Sequence, residues 1–252
     1  MKIKIFGKEI DILVIIFAVL AVATVILLLR TYLPVEENLD EYKKTSSVVS
    51  AKEELPDNPI NFDSLNKENP DVCGWIRVEG TDIDYPVMRS GANTEEDFYL
   101  THDWHRETQK AGSIYIQQLN SADFSDKNTV IYGHNMKNGT MFGQVKRFKD
   151  KEFFDKNSKI TVYTEGHILE YQIYASRTID DNHIMYAYDF STDEGFQGFI
   201  SDTLSSSAKI HNVRTGTAVT VRDKIITLST CTSNNSERLI VAAVLKSDTL
   251  TK

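Results

Sequence analysis

Residues 225–246 read IITLSTCTSNNSERLIVAAVLK, which is two apolar segments joined by a short polar one. The first segment runs directly into Cys231, and the second begins with Arg238. Two apolar strands linked by residues that favour turns predict an antiparallel hairpin. Cys231 and Arg238 should then face each other across its mouth, about 5 Å apart. A guanidinium at that distance favours the thiolate and can donate hydrogen bonds to a developing oxyanion.

Most of the other strong patterns upstream of this hairpin are also typical of strands. The predicted strands are GWIRV (74–78), DIDYPVM (82–88), GSIYIQQ (112–118), NTVIYG (128–133), KITVYT (159–164), ILEYQIYASRT (168–178) and TAVTVRD (217–223), besides the two of the hairpin. Helices are predicted for a short segment that ends at Pro70, for residues 140–148 and for residues 190–204. Some eight strands with few helices predict a mainly β fold, a closed or nearly closed barrel with peripheral helices. An open sandwich is the alternative.

Composition limits the class of protein. A chain of 252 residues holds one substantial domain plus appendages. The net charge of −8 argues against a nucleic-acid partner, because such partners call for basic patches. Two cysteines are too few for a disulfide scaffold.

The N-terminus predicts a membrane anchor. Residues 12–29 carry no charge, and 18 residues of helix are about 27 Å long, close to the hydrocarbon thickness of a bilayer. Lysines precede this run and acidic residues follow it, which puts the N-terminus in the cytoplasm and the rest outside, as a single-pass protein of the cell membrane. A cleaved signal peptide is the alternative, although the small-residue motif Ala21-Val22-Ala23 lies inside the apolar run.

The predicted domains follow from these patterns. Residues 1–30 are a cytoplasmic tip and transmembrane helix, and residues 31–58, polar and with little apolar periodicity, are a stalk. The folded domain is then 59–252.

A cysteine nucleophile needs a histidine or another base as partner. His134 directly follows the apolar strand NTVIYG and opens the loop HNMKNGTMFG, and a strand end beside a glycine-containing loop is well placed for catalysis. His102 and His105 have a spacing found in metal sites, but no third ligand pattern accompanies them. They are interpreted as loop histidines.

These residues carry a resemblance to the class B sortases. TLSTC, with an arginine opening the next strand, is similar to the nucleophile signature of that family, and VIYGHNMKNGTMFG is similar to its histidine segment. NPDVCGWIRVEGTDIDYPVMRS and DFYLTHDWHRETQKAGSIYI match two further segments, so the resemblance runs from about residue 60 to 246. It implies a closed eight-stranded sortase-type barrel behind the N-terminal anchor.

The resemblance also implies roles for residues. Cys231 is the nucleophile, His134 the general acid that protonates the leaving amine, and Arg238 the group that stabilises substrate and oxyanion. Residues 179–210 match the specificity insertion of class B. The candidate contacts to substrate or oxyanion are Ser229, Thr230, Leu100 and Tyr186, with His183 and Tyr188 as alternatives to Tyr186.

The implied reaction is acyl transfer. Cys231 cleaves the Thr–X bond of an Asn-Pro-X-Thr type sorting signal on a secreted protein, and an amine of the peptidoglycan cross-bridge or its precursor resolves the thioacyl enzyme. No metal or organic cofactor is implied. Cys231 must stay free to attack, and Cys73 is interpreted as a buried small hydrophobe rather than its disulfide partner.

Two other functions are alternatives to this reaction. An L,D-transpeptidase would carry a Ser-His-Gly-Cys-X-Arg pattern, which the sequence lacks. A membrane-anchored binding or sensor domain would keep the barrel and tolerate loss of His134, Cys231 or Arg238, whereas all three are present.

Overall fold

The structure is a computed structural model that describes residues 2–5, 8–14, 16–29, 55–208, 210–231 and 236–252. The chain divides into two compact units, Met1–Glu54 and Leu55–Lys252. Most of the predicted stalk and the tip of the predicted hairpin lie outside the described residues.

The N-terminal unit contains a short hairpin and one apolar helix. Strands β1 (Lys2–Ile5) and β2 (Lys8–Asp11) pair antiparallel, an element that the sequence patterns did not predict. Helix α1 (Ile12–Leu29) has a mean hydropathy of 3.4, and none of it is buried. It is long and apolar enough to cross a membrane.

The second unit contains the remaining elements. In chain order they are α2 (Phe62–Glu68), β3 (Val72–Val78), β4 (Asp84–Arg89), a 3-10 turn (Phe98–Leu100), β5 (Ile114–Ile116), β6 (Asn128–Tyr132), a 3-10 helix (Phe142–Lys149), α3 (Lys151–Lys156), β7 (Lys159–Thr164), β8 (His167–Asp180), α4 (Ile184–Ala187), α5 (Asp193–Leu204), β9 (His211–Val213), β10 (Ile225–Cys231) and β11 (Glu237–Leu250). Helices α2 and α5 each have a side-chain N-cap. The Asn61 side chain accepts a hydrogen bond from the Ser64 amide at α2, and the Thr192 side chain accepts one from the Gly195 amide at α5.

Eight strands close into a barrel. Their order is β11-β10-β6-β5-β4-β3-β7-β8, and β8 pairs back with β11 along most of its length. β9 adds to the outside of this ring by pairing with β8. The closed eight-stranded barrel is therefore confirmed, and the open sandwich is excluded because a sandwich would leave β8 and β11 unpaired with each other.

Because side chains alternate along the strands, one set points into the barrel and the other lies on its outer face. Ile116, Ile131 and Leu228 point into the barrel and are completely buried. Their neighbours on the outer face, including Val130 and Ile240, pack under the insertion between β8 and β9, which contributes aromatic side chains from α5. The insertion therefore covers one outer face of the barrel, and the site described below lies beside it.

The structure differs in detail from the sequence patterns at three places. Residues 217–223 form turns instead of a strand, because the Asp223 carboxylate accepts hydrogen bonds from the amide and hydroxyl of Thr220 and bends the chain. Residues 140–148, predicted as a helix, lie mostly in the 3-10 helix. Residues 55–58, assigned to the stalk, join the barrel: the Asn58 amide donates to the Thr164 carbonyl at 2.8 Å, and the Lys252 amide donates to the Pro56 carbonyl at 3.0 Å.

Candidate active site

Three predicted residues lie in one row across three neighbouring strands. Cys231, the last residue of β10, pairs directly with Arg238 of β11, as the hairpin pattern predicted. On the other side β10 runs parallel to β6, with Ser229 opposite Tyr132. Continuing this register by two residues brings His134 level with Cys231. Because side chains alternate along a strand, these residues share the outer face of the barrel.

The row lines a cavity of about 230 Å³ between the loop before β5 and the insertion. Its lining includes the predicted residues Cys231, His134, Arg238, Ser229, Thr230 and Leu100, together with Asp97, Tyr115, Gln117, Tyr132, Gly133, Asp181, Asn182, His183 and Ile184. Cys231, His134 and Arg238 are each half-buried. A partly exposed thiol between an imidazole and a guanidinium is suited to nucleophilic attack on a carbonyl group.

The His134 ring has a defined partner. Its Nε2 lies 2.8 Å from the carbonyl oxygen of Leu100. A carbonyl oxygen only accepts, so Nε2 carries the proton and Nδ1 is left for proton exchange. Leu100 therefore reaches the site through its backbone as well as by lining the cavity.

Hydrogen bonds fix the strand that carries His134 to the strand that carries Cys231. The buried Thr230 hydroxyl donates to the Gly133 carbonyl at 2.7 Å, and the Asn135 amide group donates to the Cys231 carbonyl at 2.9 Å. Ser229 is buried on the same face as the thiol. The structure thus gives Thr230 a place between the two strands, where it holds the row together.

The insertion contributes His183 rather than Tyr186 to the cavity. Tyr186 is 69% exposed, lines a neighbouring cavity, and packs its ring 4.5 Å from that of His183. Both ring nitrogens of His183 are buried and have no hydrogen-bond partner among the described residues, as is also true of the Tyr132 hydroxyl and Gln117 Oε1. These polar groups line the cavity from separate segments, and no short motif in the sequence pointed to Tyr132 or Gln117.

A larger cavity lies elsewhere in the described part of the chain. It has a volume of about 660 Å³ and lies near the other end of β10, with Lys224, Cys73 and Tyr171 among its lining residues. Burial raises the pKa of the Cys73 thiol to about 12, and its Sγ donates to the Val87 carbonyl at 3.3 Å. Both cysteines are free, and Cys73, predicted to be a buried small hydrophobe, is partly buried and packs against the barrel core.

Comparison with known proteins agrees with this geometry. Residues 76–246 match the model of the sortase domain family. The chain is 35% identical to sortase B of Listeria monocytogenes over 75% of this chain and 73% of that protein, and 30% identical to sortase B of Staphylococcus aureus over 86% and 88%.

The fold comparison gives the same result. The X-ray structure of Clostridium perfringens sortase B superposes with a TM-score of 0.67 and 33% identity, covering 74% of this chain and all of that one. Sequence, barrel and family match therefore agree that this chain belongs to the sortase family of cysteine transpeptidases, as a class B sortase.

Proposed function

We propose that this sortase cleaves an Asn-Pro-X-Thr type sorting signal on secreted proteins and joins them to a cell-wall amine. Cys231 is the nucleophile, His134 the proton donor, and Arg238 the group that stabilises the oxyanion. The observation that carries the proposal is that Cys231 of β10, Arg238 of β11 and His134, two residues past the end of β6, line one cavity.

In the first half-reaction the Cys231 thiolate attacks the threonine carbonyl carbon of the signal. The carbonyl π electrons move to oxygen, and a guanidinium fork at Arg238 stabilises that oxyanion by directed hydrogen bonds. As the tetrahedral intermediate collapses, the C–N bond breaks and His134 gives a proton to the leaving amine. The product is a thioester between Cys231 and the threonine.

In the second half-reaction an amine attacks the thioester carbon. His134, now neutral, takes the proton that the amine loses, and the C–S bond breaks to return the Cys231 thiolate. The sorted protein is then held by a new amide bond. We assign the amine to a peptidoglycan cross-bridge or its precursor.

The same proposal places the enzyme at the cell membrane. Helix α1 is its single-pass anchor, with the N-terminus in the cytoplasm and the catalytic domain, which begins at Leu55, outside. The apolar length of α1 supports the anchor.

Protease added to intact cells should digest the domain and spare residues 1–30. A released domain with a new N-terminus near Thr24 or Arg30 would show that the segment is a cleaved signal peptide.

The function is tested with the full chain in detergent and a library of peptides that vary around Asn-Pro-X-Thr. Mass spectrometry should find a threonyl thioester on Cys231 and, when a glycine peptide amine is added, a new amide product. A library in which X and each fixed position vary in turn gives the signal preference. If no peptide acylates Cys231, the transpeptidase assignment for this chain is wrong; acylation by unrelated signals would overturn the Asn-Pro-X-Thr assignment alone.

A further inference from the structure

The acceptor of the His134 Nε2 proton belongs to a turn that is held from several sides. In Ser-His-Asp enzymes a carboxylate orients the imidazole and selects its tautomer. Here the group at hydrogen-bond distance is the backbone carbonyl of Leu100, 2.8 Å from Nε2. A single carbonyl can do this only if the backbone that carries it is fixed in place.

We propose that Asp97 is the positioning residue for His134: it fixes the turn of residues 97–100 so that the Leu100 carbonyl holds the proton on Nε2. This inference rests on the proposed function, because it assigns a second residue to the proton-transfer step of that reaction. Asp97 acts through Leu100, and it exchanges no proton itself.

Hydrogen bonds anchor Asp97 at the beginning of the turn. Its Oδ1 accepts from the Tyr115 hydroxyl at 3.1 Å and from Gln117 Nε2 at 2.8 Å, and both donors lie on or directly after β5. The Asp97 carbonyl accepts from the Leu100 amide at 2.9 Å, which closes the 3-10 turn. A continuous chain of bonds thus runs from the barrel, through Asp97 and Leu100, to His134.

The backbone at Gly112 lies close to the same Leu100 carbonyl. A Cβ atom at this position would lie 2.4 Å from the Leu100 oxygen and 2.7 Å from the Tyr99 oxygen, and the φ angle of +55° is one that glycine adopts without strain. The next residue, Ser113, donates its amide to the Tyr99 carbonyl at 2.8 Å. The Leu100 carbonyl therefore lies in a close fit that leaves no room for a side chain.

Fixing the proton on Nε2 decides which nitrogen performs the chemistry. With Nε2 donating to a neutral acceptor, Nδ1 is the nitrogen that exchanges a proton with the leaving amine. If the turn moves, the ring can rotate or change tautomer, and the fraction of enzyme with Nδ1 ready for transfer falls. The rate of acylation should therefore fall for a substrate whose leaving group needs a proton, and it should change little for a substrate whose leaving group needs none.

The experiment compares Asp97→Ala, Asp97→Asn and the control Asp103→Ala in the full chain. Asp103 caps the His105 and Glu107 amides in the same loop and has no bond to the 97–100 turn. We expect Asp97→Ala to slow acylation by a peptide amide about tenfold or more, because a placed general acid contributes about 10²–10⁴-fold. Acylation by an activated ester, whose leaving group needs no proton, should change little. Asp97→Asn keeps an oxygen acceptor and should recover most of the rate.

Nitrogen-15 spectra of histidine-labelled protein give a readout independent of activity. Neutral His134 should show its proton on Nε2 in the native enzyme and a tautomer mixture in Asp97→Ala and in Gly112→Ala. Equal loss with amide and ester, or an unchanged tautomer, would overturn the positioning role. Asp97→Asn as slow as Asp97→Ala would also overturn it, since the charge would then be what matters. Native enzyme that fails to acylate at all would refute the proposed function instead.

Discussion

The two ends of the barrel hold cavities that contain the same three kinds of residue. Each is lined by a cysteine, a histidine and an arginine: Cys231, His134 and Arg238 at one end, and Cys73, His167 and Arg89 at the other. The far cavity is also the larger, about 660 Å³ against about 230 Å³. Composition and cavity size alone would therefore not select the end that we propose as the active site.

We propose that the two sets differ in reactivity because of strand register and because of the burial of the Cys73 thiol. In the far cavity Arg89 donates to the Asn120 and Gln118 carbonyls at 2.7 and 3.0 Å, and His167 is 2.7 Å from Asp248. Cys73 lies where burial raises the pKa of its thiol to about 12, so almost none is thiolate at neutral pH. At the other end, strand register aligns all three residues in one row. We therefore base the proposed active site on strand register and on the burial of the Cys73 thiol, not on which residues share a cavity.

The largest expected difference is between the two cysteines. Cys231→Ala should reduce transpeptidation to the uncatalysed rate, a loss on the order of 10⁶-fold, because no other group can form the thioester. Cys73→Ser should keep nearly the native rate, since the far thiol takes no part. The measurement is peptide cleavage with detection of the covalent adduct. Residual thioester formation in Cys231→Ala would mean that the far cysteine is a second nucleophile.

The histidines should differ by a smaller factor. His134→Ala should slow acylation by a peptide amide on the order of 10³-fold, while an activated ester should be affected much less, because its leaving group needs no proton. His167→Ala removes a surface contact with Asp248 and should leave both rates near native. If His134→Ala slows amide and ester equally, His134 acts mainly by activating the thiol.

The third comparison is between the arginines of the two cavities, Arg238 and Arg89. Arg238→Lys keeps a charge but loses the planar fork, and turnover should fall on the order of 10²-fold if one oxyanion donor is lost. Alkylation of Cys231 as a function of pH should change little, because a cation remains nearby. Arg89→Lys should leave turnover per folded molecule unchanged. Near-native cleavage by Arg238→Lys would show that charge suffices, and loss of both cleavage and alkylation would mean that Arg238 holds the hairpin in shape.

The sequence predicted the parts of the site that depend on local pairing. The hairpin of β10 and β11 is visible in one stretch, so the facing of Cys231 and Arg238 followed from strand periodicity and a polar loop. Barrel closure was predicted from the number of strands, although pairing of β8 with β11 joins residues far apart in the chain. His134 could be placed at a strand end, but bringing it to Cys231 needed the motif resemblance, because β6 and β10 are also distant in sequence.

What the sequence could not predict depends on contacts between distant segments. The Leu100 carbonyl is a backbone group, and a residue of any type at position 100 would provide it. Its hydrogen bond to His134 therefore cannot be predicted from the residue pattern. Residues 217–223 alternate like a strand, yet a local side-chain bond of Asp223 competes with pairing. The three residues of β9 form a strand because they pair with residues 175–177 of β8, which are distant in sequence.

The smallest expected effect concerns stability at the far end of the barrel. Burial raises the pKa of the Cys73 thiol from an ordinary 9.0 to about 12. Between these two values the unfolded chain releases this proton while the folded protein keeps it, so the free energy of unfolding should fall as pH rises through that window. Cys73→Ser removes the group and with it this part of the decline. Tyr171, which lines the same cavity and whose pKa is also raised by burial, is present in both proteins and cancels in the comparison.

The measurement is denaturant unfolding of the full chain and of Cys73→Ser, below pH 9 and again between pH 9 and 12. The difference in the free energy of unfolding between the two proteins should be constant at the lower pH values and shift in favour of Cys73→Ser at the higher ones. A difference that stays constant across the whole range would mean that the Cys73 thiol ionises as it does in water. The distinction between a reactive and an inert end of the barrel would then rest on strand register alone, without solvation.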